Sequence, residues 1–341
     1  MVPSRLAPPT PSKPMLPPFL AEVGAASLLV AASYVGLWEL QIRPSLDRQA
    51  AEAGKAVLEE AHGERGAEAT DGARPVGLCL SDGTRQGYTS SGFASSDGRK
   101  RLERAVDAFE DRGWKVGFCL FDLTTQEGLS YHADEEFYPA SSIKGPYLVS
   151  LFESEVEGGG VSLDELRDLS RDLVLYSDND AYHALLAAYG TDRLAAWAAG
   201  AGVSEGLPER VRAAFYPRLC ARDLACMWQR AYRYLSSGTA GARFLADLFS
   251  RRETSAFAAA LPGTVSWSKA GWYPEQDGWG SDATTSEAGV VFSDSGPYVL
   301  AVLTTAPEDF DALAVLTTAP EDFDALAELV RALDDAHDAM P

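Results

Sequence analysis

Cysteine, histidine and lysine are scarce in this chain. Four cysteines stand among 341 residues, and no two form a C-x-x-C pair. The four histidines are scattered, so no metal site and no cofactor are expected. Cys220 and Cys226 could pair in an oxidising compartment. Their spacing on a helix sets them poorly in register, however, so they are read with Cys79 and Cys119 as free thiols. Positive charge is also short: 29 Lys and Arg face 50 Asp and Glu, a formal net charge of -21. Phosphate repels such a surface, which excludes nucleic acid as a partner. Neither a glycine-rich phosphate loop nor a basic patch is visible. Apolar material is plentiful, at 46% of residues, enough for a sizeable core.

Composition divides the chain. Residues 1–18 are proline-rich, carry only Arg5 and Lys13 as charges, and read as a disordered tail. An apolar run from Phe19 to Trp38 follows, interrupted only by Glu22. About 20 apolar residues span a bilayer core. Residues 19–40 are therefore expected to be an uncleaved, single-pass transmembrane anchor. A signal peptide cleaved near Ala31, Ala32 and Ser33 is the rival, and a buried core helix the blander alternative. The flanks, Arg5 and Lys13 against Arg43, Arg48 and Lys55, do not orient the anchor. Residues 41–96 turn rich in Gly, Ser, Asp and Thr towards their end and read as a linker.

Regular patterning begins near residue 97. Leu102, Ala105, Val106 and Phe109 have helical spacing. Lys115–Leu123 and Gly128–Phe137 read as a strand hairpin. Helices dominate from Ser141 to about Phe249. Late strands are expected near Gly289–Ser293 and Tyr298–Thr305, and a closing helix over Glu321–His337. Strands at both ends with helices between predict an α+β domain over 97–341: a mixed antiparallel sheet with helices on its faces plus a helical lobe. Ala301–Leu313 reads AVLTTAPEDFDAL, and Ala314–Leu326 repeats it without a change. One AVLTT must finish the last strand and one EDFDAL must start the last helix. The surplus copy is expected to bulge as a surface loop or short helix.

Chemistry concentrates in three short motifs. In Phe137-Tyr138-Pro139-Ala140-Ser141-Ser142-Ile143-Lys144, Ser141 and Lys144 are three apart, one turn along a helix face. A serine hydroxyl is a weak nucleophile until a neighbouring neutral amine can take its proton. Ser177-Asp178-Asn179 follows, and then Lys269-Ala270-Gly271 in a strand-like segment. Two of only six lysines fall in these motifs.

The ordered set S-x-x-K, S-D-N and K-A-G, the last in place of K-T-G, resembles class A β-lactamases and penicillin-binding proteins over about residues 97–341. That resemblance implies a β-lactamase/transpeptidase-like fold and an acyl-enzyme mechanism. It implies Ser141 as nucleophile, Lys144 as its base and Ser177 as proton relay. Lys269 would support Ser177 and bind a substrate carboxylate. Asn179, Gly271 and Trp272 would bind substrate, with the backbone N–H groups of Ser141 and Trp272 as an oxyanion hole. Asp178 would hold the loop. The implied substrates are β-lactams or peptidoglycan peptides, met outside the cytoplasmic membrane. Oligomeric state is left open.

The chain departs from the pattern in three places. Ala270 replaces a threonine whose hydroxyl would help bind carboxylate. The interval from Ser141 to Ser177 is short, which trims the helical lobe. No E-x-x-L-N motif follows Asn179; Glu205 and Glu209 are the weak candidates for a base that activates water. The expected function is a membrane-anchored serine hydrolase with β-lactam hydrolysis that is slow. The alternative is a D-Ala-D-Ala peptidase or a penicillin-binding sensor module with little turnover.

Overall fold

The computed structural model describes residues 97–251, 254–273, 283–307 and 321–340. The tail 1–18, the expected anchor 19–40 and the linker 41–96 lie outside the described residues. Among the described residues, no helix is long and apolar enough to cross a membrane.

The elements run in this order. Helix α1 (Asp97–Glu110) leads into strands β1 (Val116–Asp122), β2 (Gly128–Tyr131) and β3 (Glu136–Phe137). A 3-10 turn (Ala140–Ile143) continues directly into α2 (Lys144–Leu151) and a π turn (Phe152–Val156). The lobe follows as α3 (Leu163–Leu175), α4 (Asn179–Tyr189), α5 (Asp192–Ala201) and α6 (Leu207–Ala213). Then come β4 (Leu219–Cys220), α7 (Ala221–Leu235), α8 (Ala240–Ser250) and α9 (Ala256–Ala260). Strands β5 (Val265–Tyr273), β6 (Thr284–Ser293) and β7 (Gly296–Thr304) precede α10 (Glu321–Asp338).

Five strands form one antiparallel sheet in the order β2-β1-β7-β6-β5. Successive side chains on a strand face opposite ways, and each face has its own core. Cys119, Phe121, Ala288, Val290, Val299 and Ala301 face the helical lobe, with Leu148, Leu185, Trp228 and Leu245. Phe118, Leu120, Val291, Leu300 and Val302 face α1, α9 and α10, with Leu102, Phe109, Phe257 and Leu329. Both faces are covered, which is why β1 is buried at every position and reads as a continuous apolar run. Local sequence sets the helix starts. Ser162 and Glu165 form a reciprocal capping box at α3, and Asp178 accepts from Ala181 N at 2.6 Å to cap α4.

Two expected strands differ. Gly128–Phe137 is not one strand: β2 ends at Tyr131, and β3 pairs with β4 in a separate two-stranded sheet. The break has a cause. His132 takes φ of 43°, and Arg222 of α7 grips Asp134 through two hydrogen bonds of 2.6 and 2.8 Å. The chain therefore turns off β1 towards α7. The strand expected from Gly289 begins earlier, at Thr284, because its polar first half pairs with β5 residue for residue. The repeated segment is shared between two elements. Ala301–Thr304 of the first copy completes β7 and Glu321–Leu326 of the second begins α10, while 308–320 lie outside the described residues. Cys119, Cys220 and Cys226 are buried free thiols.

Candidate active site

The first motif lies where β5 meets the 3-10 turn. Ala140 takes φ of 44°, a left-handed value costly for a residue with a Cβ, and this bend starts the turn that carries Ser141. Ser141 is partly exposed, whereas Ser142, Ile143 and Lys144 are buried. Ser142 secures the turn by donating to Pro139 O at 2.8 Å. Gly271 of β5 packs against it: a Cβ there would lie 2.4 Å from Ser142 N, 2.5 Å from Pro139 O and 2.7 Å from Ser141 N. The glycine thus admits the serine turn itself to the strand, a closer constraint than the substrate approach expected of it.

Lys144 is fully buried. Its Nζ donates to Ser177 O at 2.7 Å, Asn179 Oδ1 at 2.7 Å and Asp178 O at 3.4 Å. Lys269, 3% exposed, donates to Ser177 Oγ at 2.9 Å and to Ala270 O at 2.8 Å. Ser177 therefore joins the two lysines, one through its carbonyl and one through its hydroxyl. It reaches both by adopting φ of 56°. Burial lowers the Lys144 pKa to about 8, offset in part by the Asp178 charge. About a tenth of the amine is then neutral at pH 7, and the share grows as pH rises towards 8. Trp272 is partly buried, with Lys269 Nζ 5.6 Å from its ring centroid.

Glu205 and Glu209 do not join this group. Both are exposed, and Glu209 bonds Arg212 at 3.4 Å on the surface. Among the described residues, no carboxylate bonds Ser141 or Lys144. No His/Cys/Asp/Glu cluster there could hold a metal ion.

Sequence reading missed the aromatic neighbours. The Tyr216 hydroxyl donates to Asn179 Oδ1 at 3.3 Å. The Tyr216 ring packs against Tyr138 at 6.2 Å and Tyr182 at 5.4 Å, and Lys144 Nζ lies 5.4 Å from the Tyr182 ring centroid. Burial and the neighbouring Tyr138 push the Tyr216 phenol up to about 12, so it acts as a neutral donor. A signal was present: F-Y-P occurs at Phe137-Tyr138-Pro139 and again at Phe215-Tyr216-Pro217. The two copies meet across β3 and β4, where Phe137 pairs with Leu219.

A sequence profile described as the beta-lactamase enzyme family matches residues 99–166 and 165–335. Among curated proteins none matches. Solved structures share the fold. A beta-lactamase from Sphaerobacter thermophilus DSM 20745 is 19% identical with a TM-score of 0.55, over 71% of this chain and 98% of that one. A beta-lactamase from Chitinophaga pinensis DSM 2588 is 18% identical with a TM-score of 0.55, over 71% and 99%. A mutant of PBP-A, solved as an acyl-enzyme complex with penicillin-G, is 18% identical with a TM-score of 0.53, over 71% and 97%.

Proposed function

This chain belongs to the beta-lactamase enzyme family, and from that premise we propose that it is an active-site-serine hydrolase acylated at Ser141 by β-lactams or related cell-wall peptides. The observation that carries the reading is the convergence of Lys144 and Lys269 on Ser177, at 2.7 and 2.9 Å. Ser141 Oγ attacks the carbonyl carbon, and its proton passes to the neutral Lys144 amine. That proton is relayed from Lys144 through the Ser177 hydroxyl to the leaving nitrogen as the C–N bond breaks, and Lys269 supports Ser177 by its hydrogen bond of 2.9 Å. The product is an ester on Ser141. The backbone N–H groups of Ser141 and Trp272 hold the developing oxyanion, and Asn179 and Gly271 border the bound ligand.

Deacylation needs an activated water. The exposure of Glu205 and Glu209 favours slow turnover, and with it the second reading: a D-Ala-D-Ala peptidase or penicillin-binding sensor. Residues 19–40 would anchor the enzyme in the cytoplasmic membrane, with the catalytic domain outside. The test is intact mass of the full chain over time with benzylpenicillin. A penicilloyl adduct that persists for minutes or longer, and is absent in Ser141→Ala, is expected. An adduct that survives Ser141→Ala removes the nucleophile assignment, and rapid loss of adduct with turnover removes the slow-deacylation reading.

A further inference from the structure

A cavity of about 370 Å³ opens where α2 and its π turn meet α5 and α7. That volume lies within the range of small-molecule sites. Ser150 and Ser154 line it from the first of these elements, and Ala196 and Trp197 from α5. Glu153, Arg193 and Arg230 supply its charge. None of these residues belongs to the group around Ser141.

The π turn explains how the charges are held. Residues two apart on a regular helix point to nearly opposite sides. In the widened turn, closed by Glu157 N on Phe152 O at 3.1 Å, Glu153 and Glu155 both reach α5. Glu155 accepts from Arg193 Nε, and Glu153 from the Trp197 indole N–H. Arg193 and Trp197 are four apart and share one face of α5. Glu153 also accepts from Arg230 Nη2 at 3.3 Å. Arg193 Nη1 donates to Tyr189 O at 2.7 Å, and Arg230 Nη1 to Trp197 O at 2.8 Å. The Arg230 guanidinium lies 4.9 Å from the Trp197 ring centroid. Both cations are thus fixed before a ligand arrives, which lowers the cost of binding one.

Fixed, they are not used up. Among the described residues, Arg193 Nη2 and Arg230 Nε have no acceptor. The two serines spend their donors on the helix: Ser150 donates to Tyr147 O at 2.7 Å and Ser154 to Ser150 O at 2.8 Å. The guanidinium edges are therefore the donors left to a ligand. The lining carries one net positive charge in a chain of net charge -21. A single carboxylate matches that charge, whereas a phosphate dianion would exceed it beside Glu153. Ala196 and Trp197 offer apolar surface to the rest of the ligand.

We propose that this cavity binds a small organic monocarboxylate, whose carboxylate pairs with Arg193 and Arg230 and whose apolar body rests on Ala196 and Trp197. The site stands apart from acylation at Ser141 and does not depend on it.

The full chain is titrated calorimetrically with benzoate, with benzyl alcohol as the neutral analogue and inorganic phosphate as the charge without the body. Two variants are compared with it. Ala196→Phe fills the cavity from an exposed position without removing a hydrogen bond, and Arg193→Gln removes one cation. An unchanged urea midpoint checks that Ala196→Phe keeps the fold. The expected result is saturable binding of benzoate, weakened at least about tenfold in each variant, the size of one charge-assisted hydrogen bond. Benzyl alcohol and phosphate are expected to bind more weakly than benzoate by a similar factor. Ser141→Ala is expected to bind benzoate as the unaltered chain does. Absence of saturable binding, or binding that survives Ala196→Phe, overturns the site while leaving the serine reading untouched. Phosphate bound as tightly as benzoate overturns the assignment to a carboxylate with an apolar body.

Discussion

A lysine with no solvent exposure is an expensive residue, and Lys144 offsets its cost by donating to three oxygens while losing its proton easily. The folded amine titrates near 8 and the unfolded one at its ordinary 10.5. Between those values the unfolded chain binds more protons, so this group's contribution to stability rises with pH across that window. Reactivity follows the neutral amine. Acylation of Ser141 is expected to increase from pH 6 and level off above about 8. In Lys144→Met that rise is expected to disappear and the rate to fall about 10²–10⁴-fold. A flat pH profile in the unaltered chain would remove Lys144 as the base. The lysines were legible because the chain has only six, and because a motif residue keeps its spacing whatever surrounds it. The cluster of Tyr138, Tyr182 and Tyr216 was not, although the repeated F-Y-P marks two of its members. Residues so far apart in sequence meet only when three separate segments fold together.

At the scale of elements, the contact between β5 and the 3-10 turn decides whether there is a site at all. Gly271→Ala places a methyl within 2.7 Å of three backbone atoms of that turn. None of them is the movable end of a side chain, so the turn must retreat from the strand. The expected outcome is loss of acylation by at least about 100-fold and a stability loss of about 1–3 kcal/mol, read from adduct formation and from urea denaturation. Retained acylation at full stability would mean that the serine turn is not seated by this strand. Strand β5 itself was legible, since Val265–Trp272 reads as a strand. The split of Gly128–Phe137 was not. Alternation holds through Leu129, Tyr131 and Ala133 and lapses only at Glu135, and the break is imposed from outside by Arg222 on Asp134 and by the pairing of β3 with β4.

For the whole molecule, one buried hydrogen bond ties the ends of the domain together. His337, in the last turn of α10, has its Nε2 2.7 Å from Asp122 Oδ2 at the end of β1, and both side chains are almost fully buried. Asp122 Oδ1 accepts from Thr124 N and Thr125 N at 2.6 and 2.7 Å. His337 Nδ1 reaches Ser295 Oγ at 2.8 Å in the β6–β7 turn. Removing the ring leaves the buried Asp122 Oδ2 without its partner, so His337→Ala is expected to lower stability by about 1–3 kcal/mol in urea unfolding, while the protein that remains folded still acylates at Ser141. A loss below about 1 kcal/mol would show that the pair is incidental.

The same joining of ends governs how the chain can become organised in time. Lys115 N donates to Thr305 Oγ1 across 190 residues of sequence, and β1 is hydrogen-bonded along its whole length to β7. During synthesis the central pair of strands therefore cannot form until nearly all of the lobe has left the ribosome. Ser141, although made early, waits for Lys269 and Gly271 on a strand that comes late. Loop closure of that span must come before its contacts repay it, which places folding among the slow, topology-limited cases. Until then the nucleophile and its lysines belong to one chain without belonging to one site.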